Sequence, residues 1–120
     1  MTNTASIVEA FFHAMHGQDL PGARALLADD LLFEGPIDTF NNPDDYLASL
    51  AKLAPIVDRV EVQAMFFGDS DACVVYDLVT KTPIRTSHVA EWFRTDGDKI
   101  TGIRVHFDAR PFAAMFEKSA

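Results

Sequence analysis

Apolar residues recur at helical spacing from Thr4 to about His16, where Ile7, Val8, Phe11, Phe12 and Met15 share one face. Ser6 and Glu9 have capping-box spacing, Asn3 and Thr4 are alternative starts, and Gly17 closes the segment. Asp19 then caps a shorter helix carrying Leu20, Ala23, Leu26 and Leu27, which runs out at Asp29-Asp30. Leu31 to Glu34 reads as a short strand stopped by Gly35-Pro36. The run Asn41-Asn42-Pro43-Asp44-Asp45 starts a third helix, with Asn as cap, Pro at the first helical position and carboxylates facing the helix dipole. Tyr46, Leu47, Leu50, Leu53 and Ala54 form its apolar stripe, and Pro55 marks its exit.

Beyond Pro55 the period changes from 3.6 to 2. Val60, Val62, Ala64 and Phe66 alternate with Glu61, Gln63 and Met65, and Gly68-Asp69-Ser70-Asp71 makes a turn. Ala72 to Lys81 is apolar on both faces, which predicts a central strand. Arg85 to Arg94 and Ile100 to Asp108 are two further strands around the turn Thr95-Asp96-Gly97-Asp98, and Pro111 to Lys118 reads as a terminal helix. Short turns between successive strands force an antiparallel meander. The order predicts an α+β fold: a sheet with helices packed on one face, in a single domain spanning 1–120.

The composition narrows the function. Of 120 residues, 48% are apolar and 23% charged, an ordinary globular balance, and ten Phe make a generous filling for one core. Ten basic against eighteen acidic residues give a net charge of −8, which disfavours nucleic acid and anionic membrane as partners. No apolar run approaches membrane-spanning length, and Met1-Thr2-Asn3-Thr4 has no basic flank, so a cytoplasmic location is expected. The single Cys73 has no internal disulfide partner, and no metal or phosphate-loop motif occurs, so neither metal nor cofactor is expected.

Chemistry is then sought in polar residues at positions where the alternation calls for apolar ones. Asp77 shares its strand face with Cys73, Val75 and Val79. Asp77 is expected on the concave, helix-facing side of the sheet, where burial raises its pKa and makes it an acid or base near neutrality; the structural alternative is a partner Arg or backbone donors. Glu34 points either into a cavity or caps its turn. Asp108 either joins the site or pairs with Arg110. His88 shares a face with Thr86, Ala90, Trp92 and Arg94 and is the histidine best placed for a pocket, whereas His13 and His16 lie on the polar side of the first helix and His106 faces outward. Phe11, Phe66, Val75, Val79, Trp92 and Phe107 are candidate pocket lining or, more simply, core. Apolar residues on the sheet's other face, Val74 and Leu78, predict a buried contact between two copies.

Gln18-Asp19-Leu20, Leu26-Leu27-Ala28-Asp29-Asp30, Phe33-Glu34-Gly35-Pro36 and Asp96-Gly97-Asp98-Lys99-Ile100-Thr101, with Arg104-Val105-His106-Phe107-Asp108, resemble the SnoaL-like members of the nuclear-transport-factor-2-like superfamily. The resemblance spans nearly the whole chain. It implies a cone in which a curved antiparallel sheet and three helices of the N-terminal half enclose a pocket for a small hydrophobic molecule, and it implies a homodimer. Relatives include polyketide cyclases, ketosteroid isomerases and limonene epoxide hydrolases. The isomerases' Tyr and base Asp fall on Phe11 and Gly35, so that chemistry is not implied here. The epoxide hydrolases' two Asp positions hold Asp77 and Asp108, but their Arg falls on Val75 and their Tyr and Asn fall on Leu32 and Glu34. An acid–histidine pair of cyclase type is available as Asp77 or Asp108 with His88. The resemblance thus implies cofactor-free acid/base chemistry: isomerisation, cyclisation or hydration. Its alternatives are a non-catalytic ligand-binding or dimerisation module and a protein-interaction adaptor.

Overall fold

A computed structural model describes residues 3–112. Its elements are α1 (Thr4–His16), α2 (Leu20–Ala25), β1 (Leu27–Glu34), β2 (Thr39–Phe40), α3 (Pro43–Leu53), a 3-10 turn (Ala54–Ile56), β3 (Val57–Phe67), β4 (Asp71–Thr80), β5 (Thr86–Asp96) and β6 (Lys99–His106). The sheet has six strands in the order β2-β1-β6-β5-β4-β3. It is curved and does not close, and the helices lie in the N-terminal half, so the fold is the α+β cone. No described helix is long and apolar enough to cross a membrane. The helix expected over Pro111 to Lys118 lies mostly outside the described residues.

The helix starts follow their caps. Asn3 accepts from the Ser6 amide, Asp19 from the Gly22 amide and Asn42 from the Asp45 amide, each satisfying a first-turn donor that the helix leaves unpaired. Asn3, rather than Ser6, therefore begins α1. The second helix ends at Ala25, earlier than its apolar spacing suggests, because Leu27 already pairs in parallel with Ile100 of β6. That pairing makes Leu27–Leu31 strand, not helix, and adds one parallel contact to the antiparallel meander of β3 to β6. The β5–β6 turn is tight, with Asp96 opposite Lys99, and needs Gly97 at φ +64°.

The hydrophobic core fixes which sheet face is the inner one. Ile7, Val8, Phe11 and Ala14 of α1 and Tyr46 and Leu47 of α3 pack with Leu27, Leu31, Ala72, Val74, Phe93, Ile100 and Ile103. Val74 is fully buried there. Since side chains alternate along β4, Ala72, Val74, Tyr76 and Leu78 face the helices, and Cys73, Val75, Asp77 and Val79 face away. This reverses the expected assignment: the outer face is lined by Val75 and Val79, not Val74 and Leu78. A second phase error lies in β3. A register shift at Gln63 separates Val62, paired with Tyr76 on the inner face, from Ala64, paired with Val75 on the outer. The bulge shifts the alternation by one, so Phe66 is outward and 62% exposed.

Candidate functional site

The face reversal separates the sequence candidates from the enclosed side of the cone. Asp77 lies on the outer face opposite His88, and the two meet through Asp77 Oδ1 and His88 Nδ1 at 2.7 Å. The His88 side chain is 84% exposed. Gln63 adds a 3.4 Å hydrogen bond from Nε2 to Asp77 Oδ2. An acid/base role for Asp77 requires apolar enclosure, which the outer face of β4 in the single chain does not supply. As a surface pair, Asp77 and His88 should couple by less than about 1 kcal/mol. A double-mutant cycle with Asp77→Asn and His88→Ala, read by urea denaturation, checks this.

The other candidates disperse as well. Glu34 is on the outer face with Arg104, at 3.5 Å, instead of under the helices. Asp108 is exposed beyond the end of β6 and bound by Arg110, which pulls its pKa down to about 2. Trp92 is also on the outer face. Its indole N–H donates to Asp71 at 3.1 Å, and the Arg94 and Arg104 guanidinium groups sit 5.4 and 5.6 Å from its ring centre. Gly102 makes room for this stack, because a Cβ there would fall 2.6 Å from Arg94 Nη2. Val75, Val79 and Phe66 share that outer face, so they do not line the cone. Phe11 alone of the proposed lining lies in the core, while Phe107 packs edge-on against Phe112. His13 and His16 are exposed on α1.

The inner face holds a different carboxylate. Ser87, Val89, Glu91 and Phe93 of β5 face the helices, and Glu91 is 5% exposed. Its cross-strand neighbours are Val74 and Val105, and Val89 and Phe93 flank it along the strand. Among the described residues no cation balances it. Loss of hydration disfavours the ionised form and raises the pKa to about 7, although the Tyr76 hydroxyl, donating to Oε1 at 2.7 Å, pulls the other way. Tyr76 itself is pushed well above its ordinary range, first by burial and then by the Glu91 charge.

A third polar group comes from α3. Tyr46 is 3% exposed, lies ring-on-ring with Phe33 at 4.6 Å, and is raised by burial and then by Glu91. Phe12 completes the wall, edge-on to Tyr76 at 5.8 Å and to Phe93 at 5.7 Å. Val62, directly beside Tyr76 on β3, is 46% exposed although it faces inward. Glu91 was legible only in outline. Its alternation with Val89 and Phe93 marks a carboxylate on an apolar face, but choosing between the two faces of β5 needed the helix contacts. Among the described residues no group of three or more His, Cys, Asp or Glu side chains is placed to hold a metal ion.

Residues 8–103 match the SnoaL-like domain family. A protein from Kribbella flavida superposes with a TM-score of 0.85 at 23% identity, covering 100% of both chains. A nuclear-transport-factor-2-like protein of unknown function from Cytophaga hutchinsonii gives 0.80 at 24% identity, over 94% of this chain and 96% of its own. An epoxide hydrolase of limonene-epoxide-hydrolase-like type from M. tuberculosis gives 0.71 at 20%, over 93% of each chain. At these identities the likeness is one of fold. No curated protein matches the sequence.

Proposed function

The chain belongs to the family of SnoaL-like domains, and from that premise we propose that it is a small-molecule enzyme whose acid/base group is Glu91. The observation that carries this reading is a carboxyl group on the enclosed face, hydrogen-bonded by Tyr76 and raised to about 7. Near neutral pH such a group is present in both protonation states, which suits it to take a proton from a substrate and return it elsewhere. The ionised form accepts a proton from a C–H bond beside a carbonyl, and the electron pair moves onto the carbonyl oxygen. The resulting carboxylic acid then delivers the proton to a different carbon or oxygen. Tyr76 holds the carboxylate by its hydroxyl throughout and fixes its orientation. Isomerisation and aldol-type cyclisation of a hydrophobic substrate both use this relay, whereas in a hydration the same carboxylate would take its proton from the attacking water and the acid would return it to the substrate atom that gains the electron pair.

Hydrogen–deuterium exchange tests the relay before any natural substrate is identified. In D2O the protein should accelerate exchange at the carbon beside the carbonyl of 1-indanone, and Glu91→Gln should lower that acceleration by about a hundredfold or more. Exchange at the buffer rate, or an unchanged rate in Glu91→Gln, would favour the ligand-binding alternative instead.

The proposed partner besides the substrate is a second copy on the outer sheet face. Phe66, Cys73, Trp92 and Arg104 form one row across the strands, Ala64, Val75, Ala90 and His106 the next, and Glu61, Asp77 and His88 a third. A two-fold axis along the strands between β4 and β5 sets Asp77 against the partner's His88, Val75 against the partner's Ala90, and Phe66 against the partner's Arg104. The face is therefore self-complementary in both charge and apolar surface. Light scattering at micromolar concentration should give twice the chain mass, falling to one with Val75→Arg. A monomeric wild-type chain would defeat the assignment.

A further inference from the structure

A cleft of about 310 Å³ opens where β1 and β6 end, with Glu34, Pro36, Arg104, Val105, His106 and Phe107 among its walls. Glu91 does not line it. Its size is at the lower end of small-molecule sites, which run from roughly 300 to 1,000 Å³. Glu34 and Arg104 are neighbours on the parallel strand pair, yet Arg104 Nη2 reaches Glu34 Oε1 only at 3.5 Å. Where this chain closes an Arg–carboxylate pair on itself the distance is shorter: 2.8 Å for Arg24 with Asp29, 2.7 Å for Arg59 with Asp58 and 2.8 Å for Arg110 with Asp108. Trp92 holds the Arg104 guanidinium 5.6 Å from its ring centre, an attraction that uses none of its N–H donors. Among the described residues the long contact is the only hydrogen bond that either side chain makes, so both keep unused capacity. The larger cleft beside α2 has no such surplus of cationic donors, because its Arg24 spans Asp29 and Asp44 and its Lys99 donates to the Ala25 carbonyl.

The two loosely paired groups have opposite charge, and that selects among ligands. A lone carboxylate would gain Arg104 but stand against Glu34, and a lone ammonium would gain Glu34 but stand against Arg104. A zwitterion satisfies both, and its charge-assisted hydrogen bonds are stronger than those of a neutral amide. We infer that this cleft binds an α-amino carboxylate with an apolar side chain. The ligand carboxylate accepts from the Arg104 fork, its ammonium donates to Glu34, and its side chain lies against Pro36, Val105 and Phe107. His106, two residues along the same strand face as Arg104, is the remaining ionisable wall and offers a ring nitrogen on the carboxylate's side. This binding is separate from the chemistry assigned to Glu91 and does not rest on it.

Four probes with one phenyl group test this on the full chain: L-phenylalanine, 3-phenylpropanoate, 2-phenylethylamine and 3-phenylpropanamide, which carry zwitterionic, anionic, cationic and neutral head groups. They are titrated by NMR with the amides of Gly35, Val105 and Phe107 as reporters. The amino acid should bind about tenfold tighter than each of the other three, and Arg104→Gln or Glu34→Gln should each remove most of that advantage. Binding of the propanoate, the amine or the amide as tight as that of the amino acid would overturn the inference. No binding by any probe, or an advantage that survives both substitutions, would overturn it too. The ranking on the wild-type chain stands as a test even if a variant does not fold. Arg104 also meets the partner's Phe66 in the proposed dimer, so deuterium exchange and light scattering are read on the same samples. Binding in the expected order without exchange, or by a monomer, leaves this inference standing and overturns only the catalysis or the dimer.

Discussion

Glu91→Gln is expected to stabilise the protein at pH 8 by up to about 3 kcal/mol while removing its proposed acid/base function. The carboxyl rises from an ordinary 4.5 to about 7 in the folded chain, and each pKa unit corresponds to about 1.4 kcal/mol. Below pH 4.5 the group is protonated whether the chain is folded or not, so its burial carries no ionisation penalty. Between pH 4.5 and about 7 the unfolded chain releases the proton while the folded chain keeps it, and stability falls as pH rises. Above pH 7 the folded group is ionised too, and the loss is complete. Gln does not titrate and still offers Tyr76 an acceptor oxygen, so its stability should stay nearly level across that window. Asp29 and Asp108, both lowered by Arg partners, act in the opposite sense, with stabilisation lost as pH falls through their depressed values, below the Glu91 window. Urea denaturation from pH 4 to 9 should show the two curves diverging with pH. Parallel curves would mean that Glu91 is hydrated in the folded chain and would remove the physical basis of its role.

A residue that destabilises its own fold at working pH is a common mark of a functional site, and that mark was nearly invisible in the sequence. The period of 2 located β4 and β5 and grouped Asp77 with Val75 and Val79, and those groupings hold. Periodicity divides a strand into two faces without saying which face meets the helices. In β4 both faces are apolar, so the choice between Val74 and Val75 had no local signal, and one wrong choice carried Asp77, Val75, Val79, His88 and Trp92 to the wrong side together. The helix caps were easier to read because Asn42 and Asp19 act within three residues of themselves. The β3 bulge at Gln63 and the parallel pairing of Leu27 with Ile100 depend on partners far along the chain, and no window around either residue contains them.

Phe93→Ala is expected to destabilise the protein by about 3–5 kcal/mol, a large fraction of the roughly 5–15 kcal/mol that holds an ordinary domain folded. Phe93 is completely buried, and its ring meets Phe11 at 5.9 Å and Phe12 at 5.7 Å, both edge-on. Its strand neighbours are Ala72 and Ile103, so the ring fills the space between α1 and the middle of the sheet. Removing it deletes apolar burial and leaves a cavity between two elements that the backbone holds apart, with Ala72 too small to fill it. Phe93→Leu should recover part of the loss. Phe66→Ala is the matched control, the same chemical change at an outward position 62% exposed; because Phe66 lies on the proposed dimer face, both variants are compared in the Val75→Arg background expected to be monomeric, where Phe66→Ala should change stability by less than about 1 kcal/mol. The two residues are indistinguishable by composition and both sit in strands of alternating pattern, so the difference between them measures the face assignment itself. Thermal and urea denaturation of both variants decide it: a Phe93→Ala loss no larger than that of Phe66→Ala would place the helices on the other side of the sheet and return Asp77 to the interior.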